Sequence, residues 1–435
     1  MLTATASETP TRLVTRPFVA VTMAVFAFFV YVGVLVPIIP TYVEDEMRGG
    51  ELGVGLAIAV FAGSAIAVRP LIGRLIDRYG RRASMIGGSL LAATVGSLYG
   101  FVDSLPALLL LRGLTGVGEA ALFVGAATLV SDLAPAHRQA EASSYFSVAV
   151  YGGLGIGPLL GDLVMSHNGF REAFILAAGC AALASGLSVA VPRWVRSAAI
   201  DDRRDAAVAG SGDSGSDDSG SIDLDGTGNS VYVHPAALAP GLVLATGMAA
   251  YSTFTAFLPD HSRSLGMSGS GALFATYSVV CLALRVVGAR WPERVGPRTA
   301  VTFAFTMLGV GLALLALVPQ QWALWGAAAT IGCGMAFMYP SLMALTVNRA
   351  PDRQRARAIS SFTMFFEIGT AVGGLMLGAL ADATGKRVGF ASAVALCVLG
   401  IWVLWNVTLP RRTAAPAMSL PAPAGGPALI PVCGE

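Results

Sequence analysis

Charge is the first thing this chain is short of. Only 12% of its 435 residues are Asp, Glu, Lys or Arg, and 55% are hydrophobic. A soluble protein carries about 25% charged residues. With a mean hydropathy of +0.69 the chain cannot cover a water-facing surface, which excludes a soluble globular domain and points to lipid. Net charge is +2, too little to draw the chain to nucleic acid. Lysine is almost missing: Lys386 stands alone among 28 basic residues.

Chemistry-bearing residues are scarce too. The five cysteines, at 180, 281, 333, 397 and 433, form no CxxC or His-spaced cluster, so no zinc or redox motif is present. Four of them sit in apolar runs, where cysteine acts as a small hydrophobe. The four histidines, at 137, 167, 234 and 261, are scattered in or beside loops. No metal cluster, GxSxG nucleophile or phosphate-binding glycine loop appears. An enzyme is therefore not expected, nor a metal or cofactor. A cleavable leader is not expected either: the first apolar run is long enough to span, and no convincing small-residue cleavage site follows it.

What the chain does have is long apolar runs. A spanning helix needs about 20 such residues. Runs fall near 18–43, 52–74, 83–102, 105–131, 141–163 and 172–192, then near 235–258, 269–290, 299–318, 321–347, 357–381 and 388–409. The expected fold is an all-α integral membrane protein of twelve transmembrane helices. Asp103-Ser104 and Pro319-Gln320 mark very tight turns at corresponding places in the two sets.

The chain also repeats itself 216 residues apart. Asp77-Arg78-Tyr79-Gly80-Arg81-Arg82 is answered by Glu293-Arg294-Val295-Gly296-Pro297-Arg298. The same offset takes Arg69 to Arg285, Gly116 to Gly332, Gly118 to Gly334, Ala134-Pro135 to Ala350-Pro351, and Ser144 to Ser360. It also takes Phe146 to Phe362, Gly153 to Gly369 and Gly157 to Gly373. The helices thus group into two pseudo-symmetric six-helix bundles, 18–192 and 234–410. Such repeats suit bundles that rock about a site held between them. Residues 1–17 form a short N-terminal segment. Residues 193–233, rich in Asp, Gly and Ser, read as a disordered linker, and 411–435, rich in Pro and Ala, as a disordered tail.

Loop charge orients the bundles. Loops on the side of both termini hold 20 of the 28 basic residues, the opposite loops hold 5, and Arg69, Arg112 and Arg285 fall inside spans. Positive loops stay in the cytoplasm, so both termini are expected there, in a multi-pass protein of the plasma membrane.

Gly73-Arg-Leu-Ile-Asp77-Arg78-Tyr-Gly80-Arg81-Arg82, between spans two and three, resembles the signature loop of the major facilitator superfamily. The second copy, around Gly288, Glu293, Arg294 and Arg298, is degenerate. In span five, Gly153-Leu-Gly155-Ile-Gly157-Pro158-Leu-Leu-Gly161 resembles the antiporter motif of drug:proton exporters in that family. Pro37-Ile-Ile-Pro40-Thr-Tyr42 is similar to the start of the same exporters. Arg112-Gly-Leu-Thr-Gly116 is similar to their RxxxG element, whose arginine is associated with proton coupling. The resemblance covers nearly the whole chain and implies a secondary active transporter. Its signature loops would form a cytoplasmic gate from Gly73, Asp77, Arg78, Gly80, Arg81, Arg82, Glu293, Arg294 and Arg298. Physically, an Asp there can accept hydrogen bonds from an Arg or a helix N-terminus of the neighbouring bundle; alternatively the arginines only enforce topology. The glycines Gly153, Gly157 and Gly161 with Pro158 imply close packing, of spans five and eight, that prevents a leak; ordinary small-residue packing is the alternative.

Three charges break the repeat. Arg112 maps to Ala328, Glu119 to Met335, and Glu367 back to Tyr151. A charge at the bilayer centre costs at least ~2.5–3.5 kcal/mol, so it normally faces a cavity or a partner. Arg112, Gly116, Glu119 and Phe123 share one helix face, with Glu119 about 14 residues, roughly 21 Å, into its span. Ser360, Thr363, Glu367, Thr370 and Gly374 make a similar stripe on span eleven. Glu119 is expected to carry the proton, with Arg112 tuning it, since burial favours the neutral form and a guanidinium the ionised one. The alternatives are a structural Arg112–Glu119 pair, or Glu367 as the proton site or as a substrate contact. Arg69 and Arg285 recur in both halves and are expected to snorkel to the interface or join the gate. Tyr31, Tyr251, Tyr277 and Tyr339, with Thr255, are candidates for the cavity wall.

The expectation is a monomeric, proton-coupled exporter of small amphipathic or hydrophobic compounds, with protons, lipid and a small-molecule substrate as partners. The alternative is an uptake symporter or facilitator for a sugar or other small metabolite. A receptor or scaffold is a more distant one.

Overall fold

The structure is a computed structural model; it describes residues 13–135, 138–191, 234–288, 291–350 and 355–408. The expected linker, 193–233, the whole tail, 411–435, and residues 1–12 of the N-terminal segment lie outside the described residues. Twelve long helices account for most of the rest. The first six are α1 (Arg16–Asp45), α2 (Gly50–Tyr79), α3 (Arg81–Leu98), α4 (Leu105–Leu133), α5 (Gln139–Asn168) and α6 (Phe170–Val189). The second six are α7 (Pro235–Ser264), α8 (Gly271–Val287), α9 (Pro297–Leu317), α10 (Gln321–Arg349), α11 (Arg355–Thr384) and α12 (Lys386–Val403).

Backbone N–H and C=O groups in lipid must be satisfied within the segment, so a long apolar run has only the helix open to it. Eleven of the twelve are long and apolar enough to cross a membrane; α8, with 17 residues, is the short one. The starts are locally encoded. Thr15 accepts from the Phe18 N–H and Pro17 takes an early position of α1, where the missing N–H of proline costs nothing. His234 and Pro235 do the same for α7. At the exposed start of α5, Arg138 grips Glu141 through two hydrogen bonds of 2.8 and 2.7 Å. These bonds hold the Glu141 carboxyl below its usual range, so the grip is present at neutral pH and lost as pH falls through that lowered pKa. Several boundaries depart from the apolar pattern by five or six residues, at the ends of α2, α5, α7 and α12. In α7 the run ends near 258, yet the helix continues through Pro259 to Ser264. Its final residues include Asp260 and Arg263, whose charges pair with Lys386 and with Glu44 and Asp45 on other helices.

The repeat is visible in the packing. Helix α1 packs on α5 and α6, as α7 packs on α11 and α12. Helix α4 packs on α2 and α3, as α10 packs on α8 and α9, and α3 meets α6 as α9 meets α12. The positive-φ glycines come in pairs at the same offset: Gly50 and Gly266 (φ 60° and 82°), Gly80 and Gly296 (87° and 81°), Gly169 and Gly385 (96° and 92°). At Gly80 the chain leaves α2 and enters α3, and at Gly296 it leaves a five-residue helix, Trp291–Val295, and enters α9, each in a single left-handed step that a side chain would strain.

Two seams join the halves, α2 against α11 and α5 against α8, and they too are repeat mates. In the first, a Cβ on Gly374 would lie 3.0 Å from the Gly55 carbonyl and one on Gly378 2.8 Å from the Glu51 carbonyl. In the second, a Cβ on Gly271 would lie 2.5 Å from the Pro158 carbonyl, and the Asp162 carboxylate accepts from the Gly271 N–H. Both seams lie toward the start of α2 and α8. Toward the opposite end, which holds Gly80 and Arg138, the halves enclose a cavity.

Candidate functional site

The cavity has a volume of about 340 Å³ and its wall comes from both halves. Phe29 of α1, Phe123 of α4, Phe146, Val150 and Leu154 of α5, and Phe366 of α11 make it apolar. Ala127, Val130 and Ser131 from the last turns of α4 carry it toward the Gly80 end. Into this apolar wall project four charges: Arg69, Glu119, Arg285 and Glu367.

Arg69 of α2 crosses to α11, where its Nη2 donates to the Glu367 Oε1 at 3.1 Å and its Nη1 to the Thr363 hydroxyl at 3.1 Å. Side-chain exposures of 19% and 12% make this a mostly buried ion pair. Arg285 of α8 crosses to α5. Its Nη2 donates to the Tyr151 hydroxyl at 2.7 Å, and its guanidinium carbon lies 4.2 Å from the centroid of that ring. These two arginines were expected at the interface or in the gate. The structure corrects that: both lie in the cavity, because the face of α2 and α8 that carries them turns to the other half. Recurrence in both halves does not argue against a site role when the site is where equivalent positions meet.

Glu119 and Glu367 do face the cavity, and Glu119 has no ion-pair partner among the described residues. Arg112 does not join them. Its Nε donates to the Ala57 carbonyl at 3.2 Å and its guanidinium lies 4.3 Å from the Phe61 ring centroid, between α4 and α2. Seven residues separate it from Glu119, about 10 Å along a helix, so a shared face is not a contact. The expected Arg112–Glu119 relation is corrected: the guanidinium sharing the cavity with Glu119 near Glu367 is that of Arg69.

Of the four expected wall tyrosines, Tyr339 lines the cavity. Tyr31, Tyr251 and Tyr277 do not line it, a correction with a packing cause. Tyr31 is buried against Phe28 and Gly96. Tyr251 and Tyr277 stack on each other at 5.5 Å and on Phe254, joining α7 to α8. Thr255 bonds to its own helix at the Ser252 carbonyl. Tyr151 was missed. Its signal was present in the sequence, since it is the repeat mate of Glu367.

The gate candidates lie at the Gly80 end. Arg81 pairs with Asp132 of α4. Arg82 donates to the carbonyls of Val189 at 2.6 Å and Ser188 at 3.4 Å. Arg298, its repeat mate, stacks on Trp405 at 4.6 Å and donates to the Trp405 carbonyl. Each of these contacts stays within one half. Arg78 and Arg294 are exposed, and Gly73 has nothing within 4 Å of where a Cβ would sit. The side chains of Asp77 and Glu293 lie outside the described residues. In the span-five motif, a Cβ on Gly153, Gly157 or Gly161 would lie 2.7, 2.6 or 2.9 Å from the backbone of α1. The motif glycines therefore pack on α1, not on α8 as expected; Gly155 and the Pro158 carbonyl meet α8 instead.

At the opposite end an ion cluster ties four helices together. Arg263 of α7 meets Asp45 at 2.6 Å, Glu44 at 3.2 Å and Asp260 at 3.4 Å. Lys386 of α12 meets Glu51 of α2 at 2.9 Å, Glu44 at 3.9 Å and Asp260. The carboxylates of Glu44, Glu51 and Asp260 lie within 4.8 Å of one another, a spacing a cation fits, and here Lys386 and Arg263 supply the positive charge. This cluster was also missed. Glu44 and Asp260 are 216 residues apart, which was the available clue.

Comparison with known proteins fits this geometry. A family profile described as Major Facilitator Superfamily matches residues 21–269 and 241–432. An uncharacterized MFS-type transporter of Salmonella typhimurium is 27% identical over 394 residues, 88% of this chain and 94% of the relative. The quinolone resistance protein NorA of Staphylococcus aureus is 24% identical over 366 residues, 82% of this chain and 88% of the relative. Among solved structures, a bacterial homolog of the human lysosomal transporter Spinster, inward-facing and unoccupied, superposes with a TM-score of 0.70 at 15% identity, covering 89% of this chain and 95% of its own. The peptide transporter POT in complex with sulfate gives 0.68 at 18% identity, covering 89% and 94%. At such identities the structures speak for the fold alone.

Proposed function

The chain belongs to the Major Facilitator Superfamily, a multi-pass membrane transporter of small molecules and not an enzyme, and from that premise we propose that it is a proton-coupled exporter of small amphipathic compounds. The observation that carries this reading is the meeting of Arg69, Glu119 and Glu367, from three helices and both halves, on one aromatic-walled cavity. An apolar cavity suits an amphipathic cargo. A carboxylate without a counter-ion in such a wall is a place for a proton. Glu119 is the carrier, and Glu367 with Arg69 is the neighbouring pair whose making and breaking changes the field at Glu119. Similarity to a quinolone resistance protein supports the outward direction.

The structure suits the cytoplasm-facing half of the cycle. The end tied by Arg263 and Lys386 is the outer one, and the Gly80 end is cytoplasmic, as the loop arginines favour. Gly73, Asp77, Arg78, Gly80, Arg81 and Arg82, with Glu293, Arg294 and Arg298, form the latch that closes when the outer end opens. The cavity is complete within one chain, so a monomer in the plasma membrane suffices.

The test is transport in proteoliposomes with imposed pH gradients. Lipophilic dye and proton are expected to move in opposite directions. Glu119→Gln and Glu367→Gln are expected to abolish gradient-driven movement with protein abundance unchanged. Movement of cargo and proton in the same direction would replace the exporter with an uptake symporter. A normal response of both variants to the gradient would end the proton assignment.

A further inference from the structure

The halves touch across the cavity through one arginine each, and the two contacts differ at one position. The 216-residue offset takes Arg69 to Arg285 and Tyr151 to Glu367. So Arg69–Glu367 and Arg285–Tyr151 are the same joint built twice. In the first copy the guanidinium meets a carboxylate at 3.1 Å. In the second it meets a phenol at 2.7 Å. A phenol accepts a hydrogen bond but leaves the positive charge standing. The other described partners of Arg285 are the Met335 carbonyl, at 3.5 Å, and the Cys281 thiol, and its Nε is buried without a partner. Tyr277 beside it is a second phenol and Cys281 a thiol, and neither is a carboxylate. Among the described residues no carboxylate pairs with it.

The other intramembrane arginines do not share this condition. Arg69 is paired, and Arg112 lies outside the cavity against Phe61. Arg285 is thus the one guanidinium on the cavity wall that lacks a counter-ion among the described residues. An uncompensated charge in such a setting is expensive to keep, and a guanidinium is shaped to take a carboxylate through two parallel N–H donors. Phe146, Val150 and Leu154 offer apolar surface on the wall of the same cavity.

We propose that Arg285 receives an acidic group of the cargo, so that the substrate is an amphipathic aromatic carboxylic acid which supplies the anion the second joint lacks. This rests on the transport reading and sharpens it: the ring system lies on the apolar wall and the carboxylate replaces, at Arg285, what Glu367 provides at Arg69.

The experiment is equilibrium binding to the purified full chain in nanodiscs, without any gradient. The probes are matched pairs: 2-naphthoate with 2-naphthamide, and biphenyl-4-carboxylate with its amide. The acids are expected to bind about tenfold to a hundredfold tighter than the amides, the range of a charge-assisted hydrogen bond. Arg285→Gln is expected to erase that preference, and Arg285→Lys to keep part of it. Tyr151→Glu, which gives the second joint its own carboxylate, is expected to erase it while the melting temperature holds. Amides binding as well as acids, no binding of either acid, or a preference that survives both Arg285→Gln and Tyr151→Glu would overturn the proposal. Failure of the exchange reading is separate: the preference would stand in nanodiscs while dye and proton fail to exchange in proteoliposomes.

Discussion

Glu367 sits in an apolar wall with a guanidinium 3.1 Å away and the Thr363 hydroxyl bound to that same guanidinium. Removing one partner of a mostly buried pair leaves the other charge alone, which costs more than removing both. Arg69→Ala is expected to destabilise by about 2–3 kcal/mol, less than a dry pair because the cavity admits water. Arg69→Met with Glu367→Met is expected to recover most of the loss in thermal melting in detergent; if the double variant melts lower than Arg69→Ala, the pair is not the stabilising unit. At this scale the sequence was legible in part. Glu119 and Glu367 stood out because they are charges in apolar runs with no repeat mate. Arg69 and Arg285 were misread because what an arginine touches is decided by the helix opposite, which no single run encodes. Arg112 was placed beside Glu119 by periodicity alone, and periodicity gives a face, not a distance.

Among the elements, α5 shows what glycine spacing can and cannot say. Gly153, Gly157 and Gly161 lie four apart on one face, which announces a close neighbour but not its identity. The neighbour is α1, where a Cβ on Gly157 would lie 2.6 Å from the Gly33 Cα. Backbone cannot yield as a flexible side chain can, so Gly157→Leu is expected to abolish folded protein in the membrane, as judged by monodisperse yield. Gly73→Ala is the contrasting case, with nothing within 4 Å of the added methyl. It is expected to add at most about 0.5–1 kcal/mol of stability, read as an unchanged or raised melting temperature. A transport defect in that stable variant would then belong to the opposite conformation, in which the proposed latch would close. The twelve helices themselves were readable nearly to their ends, because lipid leaves an apolar run no other way to satisfy its backbone. The final residues of α7 were not, since Asp260 and Arg263 are held by residues of α1 and α12.

For the whole molecule, one ion cluster ties α1, α2, α7 and α12 together at the end away from the cavity. Lys386 is the sole lysine of the chain, and it stands among Glu44, Glu51 and Asp260. Lys386→Gln leaves four carboxylates, those three and Asp45, to Arg263 alone. Their repulsion is expected to shift the population toward the outward-open state, read as faster thiol labelling of Ser147→Cys in the cavity from the outer face. Unchanged labelling would remove the cluster from gating. The two-bundle plan was legible from the 216-residue repeat; the cluster was not, since its members fall just beyond the apolar runs, at helix ends that looked ordinarily solvated.

The seams below that cluster are backbone laid on backbone, with glycine on at least one surface of each. A knob seated in a hole must be lifted out before its partners can travel, whereas smooth surfaces can roll with contact kept. In the proposed cycle the barrier to switching then resides in the charges, which are partly open to solvent, and added salt shortens the screening length below its physiological value of about 8 Å, toward the spacing of these pairs. Raising sodium chloride on the outer face alone is therefore expected to quicken the return stroke, so that turnover measured in vesicles responds to the external ionic medium even where neither cargo nor proton concentration has changed.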